Sequence, residues 1–242
     1  MSLITGFHAI EESLHTSGGR GTLYIAAKGT RIEKLISAAK SAGVSVRRVG
    51  SKQLDELSEG RDHRGAAYLS AVEGSPGFRD LKSALAGIAA ETALVIVLDG
   101  ITDPHNLGAI LRSADLFEVD FVVLPMKRSA QLGPTVTKTS AGASNYVPVV
   151  KSPNITRALQ ELKNEGFWIY GADSSGKPAD KTDLNGKIAI VMGSEGSGLG
   201  RLVREQCDEL IGIPVGGNID SLNVSVAAGI CMYEVRRQQR PT

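Results

Sequence analysis

At 242 residues the chain is long enough for two modest domains or one large one. Its 42% hydrophobic content is that of a soluble globular protein, and nothing in it approaches the run of about 18 apolar residues that reads as a transmembrane helix. A net charge of +1 argues neither for nor against nucleic acid, so any such contact has to come from local patches.

The first 73 residues read as a small α/β unit. A helix is predicted over Phe7 to Leu14 and a strand over Thr22 to Ala27. Ile32, Leu35, Ile36 and Ala39 recur on one helical face, and Gly43 ends that helix. Val44 to Val49 alternates as a strand, Ser51 opens a short helix, and Ala66 to Val72 closes the unit. Glu73-Gly-Ser-Pro-Gly-Phe then clusters residues that break regular structure. The expected division is a first domain over 1–73, a linker and helix (Asp80 to Ala90) over 74–90, and a second domain over 91–242.

From Leu94 the strand–helix alternation restarts. Leu94 to Leu98 is an apolar run of buried-strand type. A helix follows over Asn106 to Phe117, then strands and helices at Phe121 to Leu124, Thr135 to Ser144, Ile155 to Glu165, Phe167 to Tyr170, Ile188 to Met192 and Leu210 to Ile213. Ser221 to Arg240 is a long terminal helix whose last turn carries Arg236, Arg237 and Arg240, suited to the negative end of its dipole.

Several chemistries are disfavoured. Gly171-Ala-Asp-Ser-Ser-Gly-Lys177 has P-loop spacing, but Pro178 stands where Ser or Thr should hold magnesium and no apolar helix follows. It is expected to be a surface loop. The glycines of Gly193 to Gly200 fit no register of the dinucleotide fingerprint, and no G-x-S-x-G elbow occurs. Cys207 and Cys231 form neither a disulfide framework nor a zinc pattern, and the N-terminus lacks a signal peptide, so a reducing cytoplasm is the expected setting.

Three blocks remain, each at the end of an apolar run, where α/β sheets place ligands. In the first, Asp99 to Arg112, Asn106 is a polar residue that could simply cap the helix. Arg112 lies between apolar residues, as a partly buried ion pair or an anion ligand does; sequence does not separate the two. The second, Val191 to Gly198, sets Glu195 among glycines that let backbone approach a ligand. The third, Ile213 to Gly229, offers Asp220 or Ser221 as helix cap, with Asn223 two or three residues later and Leu222, Val224, Val226 and Ile230 as apolar walls.

The order Asp-Pro-His-Asn-Leu-Gly, then Leu-Arg-Ser-Ala-Asp, Met-Gly-Ser-Glu-Gly and Ser-Leu-Asn-Val-Ser-Val-Ala resembles the three motifs of the SpoU/TrmH family of RNA 2′-O-ribose methyltransferases. Arg128-Ser-Ala-Gln-Leu and Cys207-Asp-Glu-Leu are similar to the branch that methylates a guanosine of 23S rRNA. The resemblance implies an α/β fold: a C-terminal SPOUT-type, trefoil-knotted methyltransferase domain behind an N-terminal L30e-like RNA-binding domain. It implies S-adenosylmethionine as cofactor, held by Gly193, Ile213 and Leu222. It implies a homodimer with no membrane partner, in which one chain can supply Arg112 to the other's pocket.

The same resemblance places Arg112 against the target nucleotide, with Asn106, Glu195, Ser221 and Asn223 around it. It gives Arg112 the role of base, yet a guanidinium does not give up its proton in proteins, so Arg112 either relays a proton through phosphate or stabilises developing negative charge. His105 is the one nearby side chain of a type that titrates near neutrality. Asp220 stands where the motif has a small uncharged residue. Arg47, Arg48, Lys52, Arg61, His63 and Arg64, interleaved with acids, are an RNA patch by the resemblance and a solvated face by composition alone. A tRNA methyltransferase of the same family and a non-catalytic RNA-binding protein are the competing readings; intact polar motif positions argue against the second.

Overall fold

A computed structural model describes residues 2–16, 21–58, 62–70, 80–217 and 221–240. The chain divides into two compact units, Met1–Ser75 and Pro76–Thr242. Asp220 and Arg61 lie outside the described residues.

In the first unit, β1 (Ser2–Thr5), α1 (Phe7–Thr16), β2 (Gly21–Ile25), α2 (Thr30–Ser41), β3 (Ser45–Arg48), α3 (Ser51–Leu57) and β4 (Ala66–Ser70) succeed one another. The sheet order is β1-β4-β2-β3; only β2 and β3 run parallel. The predicted helical face is real: Ile32, Leu35 and Ala39 are buried against Leu23, Ile25 and Tyr68. The first strand escapes sequence analysis because four residues show too little alternation to separate a strand from a loop.

The second unit begins with α4 (Leu81–Ala86), whose start is fixed by Asp80: its carboxylate accepts from Ser83 N at 2.8 Å, and Ser83 Oγ accepts from Asp80 N. There follow β5 (Ala93–Leu98), α5 (Pro104–Leu116), β6 (Phe121–Pro125), α6 (Pro134–Thr139), β7 (Val149–Ser152), α7 (Ile155–Asn164), β8 (Trp168–Pro178), β9 (Lys187–Met192), α8 (Arg201–Gln206), β10 (Glu209–Gly212) and α9 (Val224–Gln239). All six strands are parallel, in the order β10-β8-β9-β5-β6-β7.

Strand pleating sorts the apolar runs onto two faces. Leu94, Ile96, Leu98, Ile188 and Ile190 meet Leu107, Leu111, Met232 and Val235 from α5 and α9. Val95, Val97, Ala189 and Val191 meet Leu81, Leu159, Leu162 and Val203 from α4, α7 and α8. A sheet covered on both faces needs continuous rather than alternating apolar strands, which is why β5 is buried at all six positions.

Sequence expectation and structure part at several points. Residues 171–177 are not a surface loop but the second half of an eleven-residue strand. Their small polar composition conceals it, and β10 pairs with Lys177 and Pro178 after a register shift. Strand β7 and helix α8, of four and six residues, are too short to show a period. The last helix begins at Val224, not Ser221, and α5 begins at Pro104, which supplies a ready-made first-turn φ.

Candidate active site

Neighbouring strands β5 and β9 carry the first two motifs side by side. Leu98 pairs with Met192, so the following residues emerge together. Asp99 N donates to Met192 O at 2.8 Å, and the Asp99 carboxylate accepts from Gly200 N at 2.9 Å, tying down the far end of the second motif. Between these ties Ser194 and Gly198 exchange backbone hydrogen bonds of 3.0 and 2.9 Å, closing a tight loop through Gly196 (φ +91°) and Gly198 (φ +65°).

Glycines let main chain pack closely within this loop and between the paired strands β8 and β10. A Cβ on Gly193 would stand 2.2 Å from the Gly198 carbonyl carbon, one on Gly176 2.6 Å from Ile211 N, and one on Gly212 3.0 Å from Asp173 O. The 193–198 loop and the ends of β8 and β10 come together in this way. They enclose a cavity of about 260 Å³ whose lining includes Gly193, Gly212, Ile213, Leu222 and Ala227, with exposed Glu195 and Ser221. Exposed backbone edges and apolar walls with few polar groups suit a flat, largely apolar ligand with a polar tail. Because the atoms facing Gly193 are main chain and cannot rotate away, Gly193→Ala is expected to lose about 1–3 kcal/mol of stability together with ligand affinity; thermal melts and calorimetric titration check both.

Hydrogen bonds join all three motifs. Asn106 Nδ2 donates to Glu195 Oε2 at 3.3 Å, and Asn223 Nδ2 donates to Asn106 Oδ1 at 3.0 Å. Asn223 Oδ1 accepts from Ser225 N at 2.9 Å and from Ser225 Oγ at 2.6 Å. Two expectations are corrected here. The cap of α5 is Asp103, whose carboxylate accepts from His105 N at 2.9 Å, leaving Asn106 free to face the cavity loops. The cap of α9 is Asn223 itself, not Ser221, because the helix starts later than the apolar pattern suggests.

Arg112 stands elsewhere. It is exposed, and no hydrogen bond or ion pair joins it to another described residue. The ion-pair reading of this residue therefore does not hold. Leu107, Ile110, Leu111 and Ala114 form the buried face of α5, while His105, Arg112 and Leu116, spaced by seven and four, share an exposed one. Arg112 is not among the residues lining its own chain's cavity.

Sequence analysis missed Asp173 and Ser174, which line the cavity from the second half of β8. Hydrogen bonds from Ser175, and then the Arg204 guanidinium, hold the Asp173 carboxyl below the usual range. Cys231 also lines the cavity. Burial pushes its thiol up to about 12, so it supplies no thiolate at neutral pH. Iodoacetamide at pH 8 is expected to leave Cys231 unlabelled in the native protein and to label it after denaturation, as read by peptide mass.

A sequence model of the SpoU rRNA methylase family matches residues 93–233, and one described as RNA 2′-O ribose methyltransferase substrate binding matches residues 3–69. The chain belongs to this family and is an S-adenosylmethionine-dependent RNA 2′-O-methyltransferase. It is 40% identical to the 23S rRNA (guanosine-2′-O-)-methyltransferase RlmB of Escherichia coli K12, over 98% of each chain. In fold it is similar to the SpoU methyltransferase AviRb of Streptomyces viridochromogenes in complex with AdoMet, with a TM-score of 0.78 at 22% identity over 98% of this chain and 89% of that one. The AdoMet-bound rRNA methyltransferase of Sinorhizobium meliloti gives a TM-score of 0.77 at 20% identity over 99% and 88%.

Proposed function

We propose that the protein methylates the ribose 2′-hydroxyl of a guanosine in 23S rRNA, acting as a homodimer in the cytoplasm. The observation that carries the proposal is the hydrogen-bonded run Glu195–Asn106–Asn223 at the rim of a glycine-lined cavity, in a chain 40% identical to a guanosine methyltransferase along its whole length. Free Cys207 and Cys231 accord with a reducing compartment.

Gly193, Ile213 and Leu222 hold S-adenosylmethionine in this reading, and the bound cofactor supplies a methyl group on a positively charged sulfur. The chain's own groups orient the acceptor. Glu195, fixed by Asn106, and Ser221 offer polar contacts beside the cavity; Asn106 is fixed in turn by Asn223. Arg112 binds phosphate and stabilises negative charge developing on the 2′-oxygen.

Support for the dimer comes from an apolar stripe. Val226, Ile230 and Tyr233 are exposed along α9, and Leu116 is 71% exposed on α5, one turn from Arg112. Contiguous apolar surface of this kind marks an interface. A C2 contact there would carry Arg112 toward the other subunit. The N-terminal unit is assigned to RNA. Its cations are partly engaged: Arg48 meets Glu33, His63 meets Asp55 and Arg64 meets Asp62.

The test is methyl transfer from labelled S-adenosylmethionine to unmodified 23S rRNA and, separately, to unmodified tRNA, with the modified nucleotide mapped. Label on a single 23S guanosine ribose is the expected result; label on tRNA alone overturns the assignment.

A further inference from the structure

A chain with a net charge of only +1 contains a forty-residue stretch, Phe121 to Gln160, with no Asp or Glu and with Lys127, Arg128, Lys138, Lys151 and Arg157. Arg157 is spent on Glu161 at 3.0 Å. Lys127, Arg128 and Lys138 are exposed and form no ion pair among the described residues. The acids flanking the stretch do not neutralise them. Asp120, before β6, accepts from Leu94 N at the opposite strand end, and Glu161 is paired.

The fold places these cations beside the candidate site. The loop 126–133 leaves the carboxyl end of β6, the sheet edge that also carries the cavity. It is pinned, not loose. Met126 N donates to Ser152 O at 2.9 Å, and Ser129 Oγ to Pro125 O at 2.6 Å. Ala130 is buried, and its N–H donates to Ile101 O at 2.8 Å, two residues before the cap of the helix that bears Asn106. Next along the chain, α6 rests on α5: a Cβ on Gly108 would stand 2.6 Å from Thr139 Cβ, and Gly108 is one turn before Arg112.

Arg128 holds a left-handed backbone (φ +58°) in this pinned loop. A bulky residue there is uncommon and costs backbone energy. Met126 and Leu132 are exposed on the same loop, offering apolar surface between the charges. Cations that track a backbone, interleaved with apolar contacts for bases, are the chemistry of single-stranded nucleic acid binding.

We propose that loop 126–133 and Lys138 of α6 form a preorganised ledge that docks the single-stranded RNA flanking the target nucleoside. This rests on the reading of RNA as substrate and assigns a binding surface to the methyltransferase unit itself.

The test uses the full-length protein, a fluorescein-labelled single-stranded RNA 20-mer and unmodified 23S rRNA transcript. The variants are R128G and the triple variant K127A/R128G/K138A. Glycine accepts the left-handed backbone at 128, so R128G removes the charge without disturbing the loop. In the triple variant RNA affinity at low salt is expected to fall at least tenfold. The slope of log K against log salt should flatten by about 2, from about 0.7 per lost phosphate contact. Affinity for S-adenosylmethionine should stay at its wild-type value.

Wild-type RNA affinity and salt slope in the triple variant overturn the ledge. If wild-type protein methylates the transcript and the triple variant matches it in both affinity and KM, the ledge alone is wrong. If wild-type protein transfers no methyl group but the triple variant binds RNA less tightly, the ledge stands and the substrate assignment falls.

Discussion

Arg112→Ala is expected to bind S-adenosylmethionine with unchanged affinity and to lose about 10²–10³-fold in turnover. Arg112 lines no part of its own chain's cavity and has no partner among the described residues, so its removal leaves neither a void nor an orphaned charge. The loss should fall on RNA engagement and the chemical step, not on cofactor binding. Isothermal titration with the cofactor, set against single-turnover methylation of 23S rRNA, separates the two. Arg112→Lys should recover little, because an ammonium lacks the planar fork that engages phosphate and ribose oxygens together. Full turnover in Arg112→Ala would remove the guanidinium from the mechanism.

Val226→Asp/Ile230→Asp is expected to give a folded monomer without methyltransferase activity. Both side chains are solvent-exposed in the single chain, 49% and 38%, so the substitutions cost the isolated fold little. Across a symmetric apolar contact they bury four carboxylates, which like-charge repulsion and desolvation forbid. Sedimentation equilibrium reads the mass and circular dichroism the fold. A dimer of wild-type affinity would show that the stripe is not the interface. A mixing experiment then asks whether sites are shared. Arg112→Ala and a cavity-blocking Leu222→Arg chain, each inactive alone, should together recover about a quarter of wild-type activity after subunit exchange, because half the dimers are mixed and each has one intact composite site.

Much of this site was legible before any coordinates, and the reason is physical. Long apolar strands such as 93–98 and 187–192 announce themselves, and the residues just past their ends are where a parallel sheet exposes its backbone and its ligands. Placing Asn106, Glu195 and Asn223 near one another needed only the motif order; the hydrogen bonds that join them did not show in it. Helix caps were the weak point. Asp103 and Asn223 proved to be the caps where Asn106 and Ser221 had the same chemistry, because Ser, Asn and Asp within a few positions of a helix start are interchangeable candidates on composition. The second half of β8 was hidden for a different reason: its strand character comes from pairing with β10, not from its own side chains. For Arg112 the sequence left a partly buried ion pair and an anion ligand open, because its apolar neighbours in sequence occupy the opposite face of the helix in space.

Strand β10 and helix α9 both contribute walls to the cavity, although they lie more than a hundred residues after β5. Because Val224, Ala227 and Cys231 of α9 line the cavity together with Met192 and Gly193 at the end of β9, its wall is complete only once residues 224–239 have been made and have packed onto the sheet. A chain cut before Val224 lacks that wall and is expected to bind no S-adenosylmethionine, as read by calorimetric titration.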